Sequence, residues 1–179
     1  MIRRSPLLLL ALLLPASQLE AQAESVAPTS EAVVTVRDIW RQLTAWITTA
    51  AEEAPDSVLA FRPTPEVRTF GEIVAHVAGA QHLICGAALN EDGGPEDQIE
   101  QQKLSKAQLV AALKKSTEHC ERAYAQTDAA ARGKTRLFGG ERTRLSALTL
   151  NATHNGEHYG NLVTYMRING MVPPSSRQQ

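Results

Sequence analysis

The stretch Asn151–Pro174 constrains this chain more than any other, because a long helical pattern there carries two histidines four residues apart. A helix turns about 100° per residue, so His158 lies one turn beyond His154 and about 40° round the axis. Both imidazoles fall in a mostly apolar stripe, which predicts that they face inward. A glycine and two prolines close the segment and predict the end of the helix.

The histidine pair has two interpretations. Buried imidazoles must find partners, because each unsatisfied buried polar group costs about 1–3 kcal/mol, and two neutral imidazoles at positions i and i+4 suit one divalent metal ion. The alternative is a pair of core or surface histidines that hydrogen bonds satisfy. Gly156 and Asn161 are unusual residues for a plain helix core, and they favour the metal site.

Three further segments of the chain have the apolar spacing that is typical of amphipathic helices. The four predicted helices run from Ser30 to about Glu53, from Thr69 to the polar loop Asn90–Leu104, from Ser105 to about Ala125, and from about Thr143 to Asn169. Thr69 and Ser105 each begin the pattern of a capping box, with an acid or amide three residues later. The connection 127–142 is predicted to hold at most a short helical turn. No strand alternation is long enough for a sheet, so four helices of about 20 residues predict an all-α four-helix bundle.

The second predicted helix carries a third histidine, His76, near the centre of its mainly apolar face. Facing helices of a bundle bring such side chains together, so we expect His76 to meet His154 and His158. Three imidazoles are the ligand set of an open, catalytic-type metal site, whereas a closed structural site normally has four protein ligands. His82 lies about 120° round the same helix and Cys85 points roughly opposite, so neither is expected to bind the same ion.

Residues 154–158 also fit the pattern H-x-x-E-H of one class of metalloprotease. That class needs a glutamate ligand well downstream, and no acidic residue follows Glu157, so the peptidase is rejected. Glu157 stays a weak candidate for a catalytic base or a group that supports a ligand, with a solvated helix residue as the alternative. Asn161 and Tyr165 are candidates to orient a histidine, with core packing as the alternative.

The N-terminus has the pattern of a secretory signal peptide: two arginines, the apolar run Leu7–Leu14, and Ala21-Gln22-Ala23. Eight apolar residues are too few to span a bilayer, which needs about 20, so no stable membrane insertion is expected after cleavage. The mature protein is therefore predicted to be exported to the periplasm or secreted. The predicted organisation is a signal peptide at 1–23, a flexible leader at 24–29, the bundle at 30–174 and a tail at 175–179.

Two cysteines, Cys85 and Cys120, can pair in an oxidising compartment. A disulfide there would contribute roughly 4 kcal/mol on the chain-entropy model, and it is slightly favoured over two buried thiols or a redox pair. The 179 residues suffice for one domain with a real core. The net charge is −1 and the basic residues are scattered along the chain. Neither feature indicates a nucleic acid or an anionic membrane as partner.

The last predicted helix resembles that of the DinB-like superfamily of bacterial four-helix-bundle metalloproteins. The matching pattern is H-x3-H-x-G-[NQ]-L followed by an arginine, a glycine and a proline. Here these residues are His154, His158, Gly160, Asn161, Leu162, Arg167, Gly170 and Pro173. The phenylalanine-led segment 69–76, which ends in His76, and the tryptophan Trp40 resemble earlier parts of the family signature. The resemblance covers residues 30–174.

This resemblance implies an up-up-down-down bundle, a homodimer, and one divalent ion, zinc or nickel, bound by His76, His154 and His158. Several members of the superfamily are S-transferases that use thiols such as bacillithiol or mycothiol. Those thiols are cytosolic, and an exported chain departs from that setting. We therefore expect an exported metal-binding protein that acts as a hydrolase or thiol transferase on an unknown small molecule. The alternative is a non-catalytic metal-binding or interaction module on the same bundle.

Overall fold

The computed structural model describes residues 31–177. The predicted signal peptide, the leader and the helix cap at Ser30 lie outside the described residues. The helices are α1 (Glu31–Glu53), α2 (Asp56–Leu59), α3 (Phe70–Leu89), α4 (Lys106–Tyr124), α5 (Asp128–Ala131) and α6 (Arg144–Ile168). The strands are β1 (Lys134–Leu137) and β2 (Gly140–Thr143), and short 3-10 turns cover Glu100–Gln102 and Pro174–Ser176.

The four long helices α1, α3, α4 and α6 form a bundle, which confirms the predicted all-α class. Each of them packs against two neighbours: α1 and α3 both contact α4 and α6. Their buried side chains form two adjoining apolar clusters, one containing Ile47, Phe70 and Met166, and the other containing Trp40 and Tyr124. Burial of these apolar faces is the main force that stabilises the bundle.

Contacts between the helices establish their directions. Gln81 and Cys85 of α3 contact residues 116 and 120 of α4, so these two helices are parallel. Gln81 and Cys85 also contact residues 155 and 151 of α6, so α3 and α6 are antiparallel. Helix α1 is antiparallel to α4, through Arg41 with Glu121 and Lys114 with residue 52. The four long helices therefore run up-down-down-up in chain order. The expected up-up-down-down sequence of directions is found when the count starts at α6 and continues with α1, α3 and α4.

The starts of α3 and α4 have the local structure that their sequences predict. The Thr69 hydroxyl accepts a hydrogen bond from the Glu72 amide at 3.1 Å, and the Glu72 carboxylate accepts one from the Thr69 amide at 2.7 Å. At α4, the Ser105 amide donates to the Gln108 side chain at 3.0 Å. These bonds satisfy amides that a helix start otherwise leaves without partners.

The connection 127–142 contains more structure than we predicted. Helix α5 is the expected short turn, but β1 and β2 also form an antiparallel hairpin, with Lys134 opposite Thr143 and Leu137 opposite Gly140. The turn residues Phe138 and Gly139 have φ values of 50° and 74°, and such left-handed pairs match the twist of a tight hairpin. Strands of four residues are too short for an alternating pattern to appear in the sequence, so the prediction of no strand was wrong.

Helix α3 is the most apolar of the four long helices. By length and composition it is able to span a membrane, with a mean hydropathy of 1.2. In the fold, 78% of the most apolar 18-residue stretch of this helix is buried. The apolar sequence of α3 is therefore explained by its place in the core.

Cys85 and Cys120 form a disulfide between α3 and α4, as the favoured interpretation of the two cysteines predicts. Their Cα atoms are 5.2 Å apart, within the usual range for a disulfide, and both residues are fully buried. The Asn151 side-chain amide of α6 lies 3.4 Å from the Cys85 sulfur and 3.6 Å from the Cys120 sulfur. The bridge therefore connects α3 to α4 at a point where α6 also contacts them.

Removal of the disulfide is expected to destabilise the fold substantially. The bridged residues are 35 positions apart, and a closed loop of that length contributes about 4 kcal/mol by restricting the unfolded chain. Equilibrium denaturation of the Cys85→Ala/Cys120→Ala variant should show this loss of unfolding free energy. Reduced wild-type protein, which keeps both sulfur atoms, is the control and should lose a similar amount. An unchanged denaturation midpoint in both samples would contradict the prediction.

Candidate metal centre

The fold brings together the three histidines that the sequence singled out. His76 of α3 faces His154 and His158 of α6, because α3 and α6 pack antiparallel across the core. The Nε2 atom of His154 lies 3.1 Å from Nε2 of His76 and 3.0 Å from Nε2 of His158. One ligating atom from each residue lies within 4.8 Å of the others. Three nitrogen donors thus converge on one point between the two helices.

The spacing of these nitrogens suits one metal ion. Imidazole nitrogens bind zinc at about 2.0–2.1 Å, so two of them are about 2.9 Å apart at a right angle and about 3.3 Å apart at the tetrahedral angle. The two observed separations, 3.1 and 3.0 Å, lie between these values. The donor set and its geometry therefore fit a divalent transition metal.

The environment keeps the three imidazoles neutral. His76 and His158 are each 7% exposed, and burial disfavours the charged ring. Burial, together with the nearby Arg68 guanidinium and the other two rings, lowers the pKa of His76 to about 3. The pKa of His154 and of His158 is lowered to about 4, again mainly by burial. Neutral imidazole is the form that binds a metal, so the site is ready for one at neutral pH.

A buried polar network supports the histidine-bearing part of α6. Asn155, which is fully buried between the two α6 histidines, donates from Nδ2 to the Thr44 hydroxyl at 2.9 Å and to Gln81 Oε1 at 3.2 Å. Gln81 Oε1 also accepts from Trp40 Nε1 at 2.7 Å, and Gln81 Nε2 donates to the Ser116 hydroxyl at 2.9 Å. This network connects all four long helices immediately behind the candidate metal centre.

Sequence reasoning missed two carboxylates beside the histidines. Both come from the loop that connects α3 to α4, Asn90–Leu104, which the sequence identifies only as polar and acidic. Glu96 Oε1 lies 3.8 Å from Nε2 of His76 and 3.8 Å from Nε2 of His154. Glu100 Oε2 lies 3.7 Å from Nδ1 of His76, and Glu100 Oε1 accepts a hydrogen bond from Arg68 at 2.9 Å.

Glycines in α3 allow this loop to approach the histidines. A Cβ atom on Gly79 would lie 2.0 Å from the backbone oxygen of Glu96, and one on Gly86 would lie 2.8 Å from the backbone of Gly93. Both contacts are closer than real Cβ atoms tolerate, so the loop packs directly on the α3 backbone. Two glycines seven residues apart in an otherwise apolar helix are the signal that could have predicted the contact.

Among the described residues, three side chains that the sequence predicts beside the histidines form no hydrogen bond with the three rings. Glu157 is exposed, and its charge acts on His154 only by raising that ring's pKa against the larger effect of burial. Asn161 is also exposed. The Tyr165 hydroxyl donates to the backbone oxygen of Arg68 at 3.0 Å, so it positions the arginine segment rather than a histidine.

His82 lies outside the cluster, as the helix geometry predicts. Its ring packs 5.3 Å from the ring of His119, centroid to centroid. This second pair belongs to the contact between α3 and α4 and provides a useful control for experiments on the three clustered histidines.

The fold and the site together define a class of protein: a four-helix bundle with a cluster of three histidines between two facing helices. Within this class, the chain belongs to the DinB superfamily, whose family model matches residues 36–162. The match includes all three histidines of the cluster and most of the bundle. No curated protein sequence matches the chain.

Solved structures have the same fold at low sequence identity. A DinB-like protein from Bacillus cereus is 17% identical, with a TM-score of 0.66 over 78% of this chain and 93% of that chain. A DinB-like protein from Bacillus subtilis is 20% identical, with a TM-score of 0.63 over 81% of this chain and 99% of that chain. A mycothiol-dependent maleylpyruvate isomerase is 14% identical, with a TM-score of 0.58 over 75% of this chain and 65% of that chain.

Proposed function

We propose that this chain is an exported metalloprotein that binds one divalent ion through His76, His154 and His158. The observation that carries the proposal is the convergence of three neutral Nε2 atoms at separations of 3.1 and 3.0 Å in a largely buried site. Zinc or nickel is the proposed ion, since imidazole donors suit both. Export rests on the signal-peptide pattern at residues 1–23, and a homodimer rests on the resemblance to the superfamily.

The proposed activity is hydrolysis or thiol transfer on a small molecule. A bound divalent ion supplies Lewis acidity, which polarises a substrate and lowers the pKa of a water or thiol that it binds. The chain holds the three donors on two packed helices, α3 and α6, which Asn155 and Gln81 connect through a buried hydrogen bond of 3.2 Å. A mycothiol-dependent relative supports thiol chemistry, whereas the proposed export favours hydrolysis.

Elemental analysis of the purified mature protein tests the metal site. Wild-type protein is expected to contain about one equivalent of a transition metal, and the His76→Ala/His154→Ala/His158→Ala variant none. The matched control is His82→Ala/His119→Ala, which removes two histidines that lie outside the cluster and should keep the metal. Absence of metal from wild-type protein, even after loading with zinc and nickel, would refute the proposal.

Turnover of model esters and thiol electrophiles by the loaded protein then tests the proposed activity. Hydrolysis or thiol transfer that is lost in the triple histidine variant would identify an enzyme. A protein that keeps its metal and turns over none of these compounds would instead agree with the non-catalytic binding module.

Glu100 is expected to strengthen metal binding through His76. A carboxylate that accepts the second ring N–H of a ligating histidine orients that ring and raises its basicity. Glu100 lies 3.7 Å from His76 Nδ1, which is buried without a hydrogen-bond partner among the described residues. Glu100→Gln should therefore weaken metal affinity by about 10–100-fold, as measured by competition with a chelator. Equal affinity in the variant and the wild type would contradict this role.

A further inference from the structure

The loop between α3 and α4 places a second carboxylate, Glu96, on the side of the cluster where the Nε2 atoms converge. Its Oε1 atom is 3.8 Å from Nε2 of both His76 and His154. Glu100, by contrast, approaches His76 from the opposite ring nitrogen, Nδ1. Glu96 and Glu100 therefore differ in position: Glu96 faces the donor atoms, and Glu100 faces the other nitrogen of the His76 ring.

The position of Glu96 is within reach of an ion held by the histidines. Ligand atoms that lie about 2.0–2.1 Å from one ion are separated by about 2.9 Å at a right angle and by about 4.1 Å when they are opposite one another. The two distances of 3.8 Å from Glu96 Oε1 to imidazole nitrogens fall inside this range. Small movements of a partly exposed side chain are enough to bring the oxygen into the coordination shell.

The charges around the cluster leave Glu96 as the group that can neutralise a metal. Three neutral imidazoles leave the charge of a divalent ion uncompensated. The Glu100 carboxylate is engaged with Arg68 through a hydrogen bond of 2.9 Å. Within residues 31–177, Glu96 forms no ion pair with a lysine or arginine, and its contacts with titratable groups are those with the neutral rings of His76 and His154.

The backbone of Glu96 is held in this position by a specific contact with α3. Gly79, three residues after His76, packs against the Glu96 carbonyl so closely that a Cβ atom would lie 2.0 Å from its oxygen. Three residues earlier in the loop, a Cβ atom on Gly93 would lie 2.1 Å from the backbone oxygen of His82, also in α3. The loop is therefore seated on the turns of α3 that directly follow His76.

We propose that Glu96 is the fourth protein ligand of the metal ion, so that the centre is a three-histidine, one-carboxylate site. This inference rests on the proposed function, because it requires the ion at the three histidines. A carboxylate ligand reduces the net charge of the centre from +2 to +1 and supplies a hard oxygen donor beside three nitrogens. The loop Asn90–Leu104 then supplies a ligand to the centre, and the activity proposed above requires the ion to take water or substrate as a fifth ligand.

The test combines affinity with direct observation of the ligand. Zinc affinity is measured by chelator competition for wild-type protein, for Glu96→Gln and for the control Glu91→Gln, whose carboxylate pairs with Arg122 away from His76, His154 and His158. Loss of a protein ligand should weaken zinc binding at least as much as loss of an outer partner, by about 10–100-fold or more, while the control keeps wild-type affinity. A crystal structure of the zinc-loaded wild-type protein should place a Glu96 oxygen about 2.0–2.2 Å from the ion.

Each other outcome overturns the assignment in a distinguishable way. Equal affinity of Glu96→Gln and wild type, with zinc on the three histidines, would refute the fourth ligand and leave the proposed function intact. Weaker affinity with both Glu96 oxygens outside the coordination shell would show that the carboxylate acts only through its charge. Failure of wild-type protein to bind zinc or nickel would refute the proposed function and this inference together.

A second variant tests the seating of the loop without altering any ligand. Gly79→Ala should displace Glu96 and reduce zinc affinity in the same direction as Glu96→Gln, in a protein whose circular dichroism shows a folded bundle. Unchanged zinc affinity in folded Gly79→Ala would refute the requirement for this loop position.

Discussion

Replacement of Trp40 with alanine is expected to lower the free energy of unfolding by about 3–5 kcal/mol, because a large buried side chain is lost and a cavity remains. Trp40 is 0% exposed and stacks on Tyr124 at a centroid distance of 4.5 Å. Such a loss is a large part of the roughly 5–15 kcal/mol that stabilises a typical domain. Equilibrium denaturation by urea, followed by circular dichroism, measures it.

The variant Trp40→Phe separates packing from hydrogen bonding. Phenylalanine keeps an aromatic ring but removes the Nε1 donor of the 2.7 Å bond to Gln81. Gln81 Oε1 still accepts a hydrogen bond from Asn155, so no buried acceptor is left alone, and the bond itself should cost only about 1 kcal/mol. An alanine variant as stable as the phenylalanine variant would contradict the dominant role of packing.

Metal-free protein is expected to lose several kcal/mol of stability as the pH falls from about 6.5 to about 3. The pKa of each clustered histidine is lowered in the folded state, to about 3 for His76 and to about 4 for His154 and His158. Between these values and the unfolded pKa of about 6.5, the unfolded chain binds more protons, so acid favours unfolding. Each pKa unit corresponds to about 1.4 kcal/mol. The three rings no longer reduce the free energy of unfolding above about pH 6.5, where they are neutral in both states.

Denaturation midpoints across this pH range, with a chelator present, test the prediction. The control variant His76→Gln/His154→Gln/His158→Gln removes the three titrating rings. It keeps carboxylates such as Glu53 and Glu72, whose pKa values are lowered by their hydrogen bonds. Protonation of these carboxylates in acid also lowers the free energy of unfolding. The wild type should therefore show the steeper profile. Parallel profiles for the two proteins would contradict the burial of three neutral imidazoles.

Local sequence determined most of the secondary structure. The capping boxes that start at Thr69 and Ser105 involve residues three positions apart, so the starts of α3 and α4 follow from nearby side chains. The apolar periodicity of the long segments likewise predicted four amphipathic helices. The hairpin formed by β1 and β2 escaped prediction because each strand has only four residues, too few for a periodic signal.

Sequence also indicated which histidines belong together, through apolar context and the resemblance to a family. Only the tertiary structure decided the rest, because the contacts involve residues far apart in the chain. His76 and His154 are 78 positions apart and meet because α3 and α6 pack antiparallel. Glu96 and Glu100 reach the cluster because a loop lies on the backbone at Gly79. Helix periodicity reports which face is buried, whereas backbone contacts between a loop and a helix depend on the packing of the whole bundle.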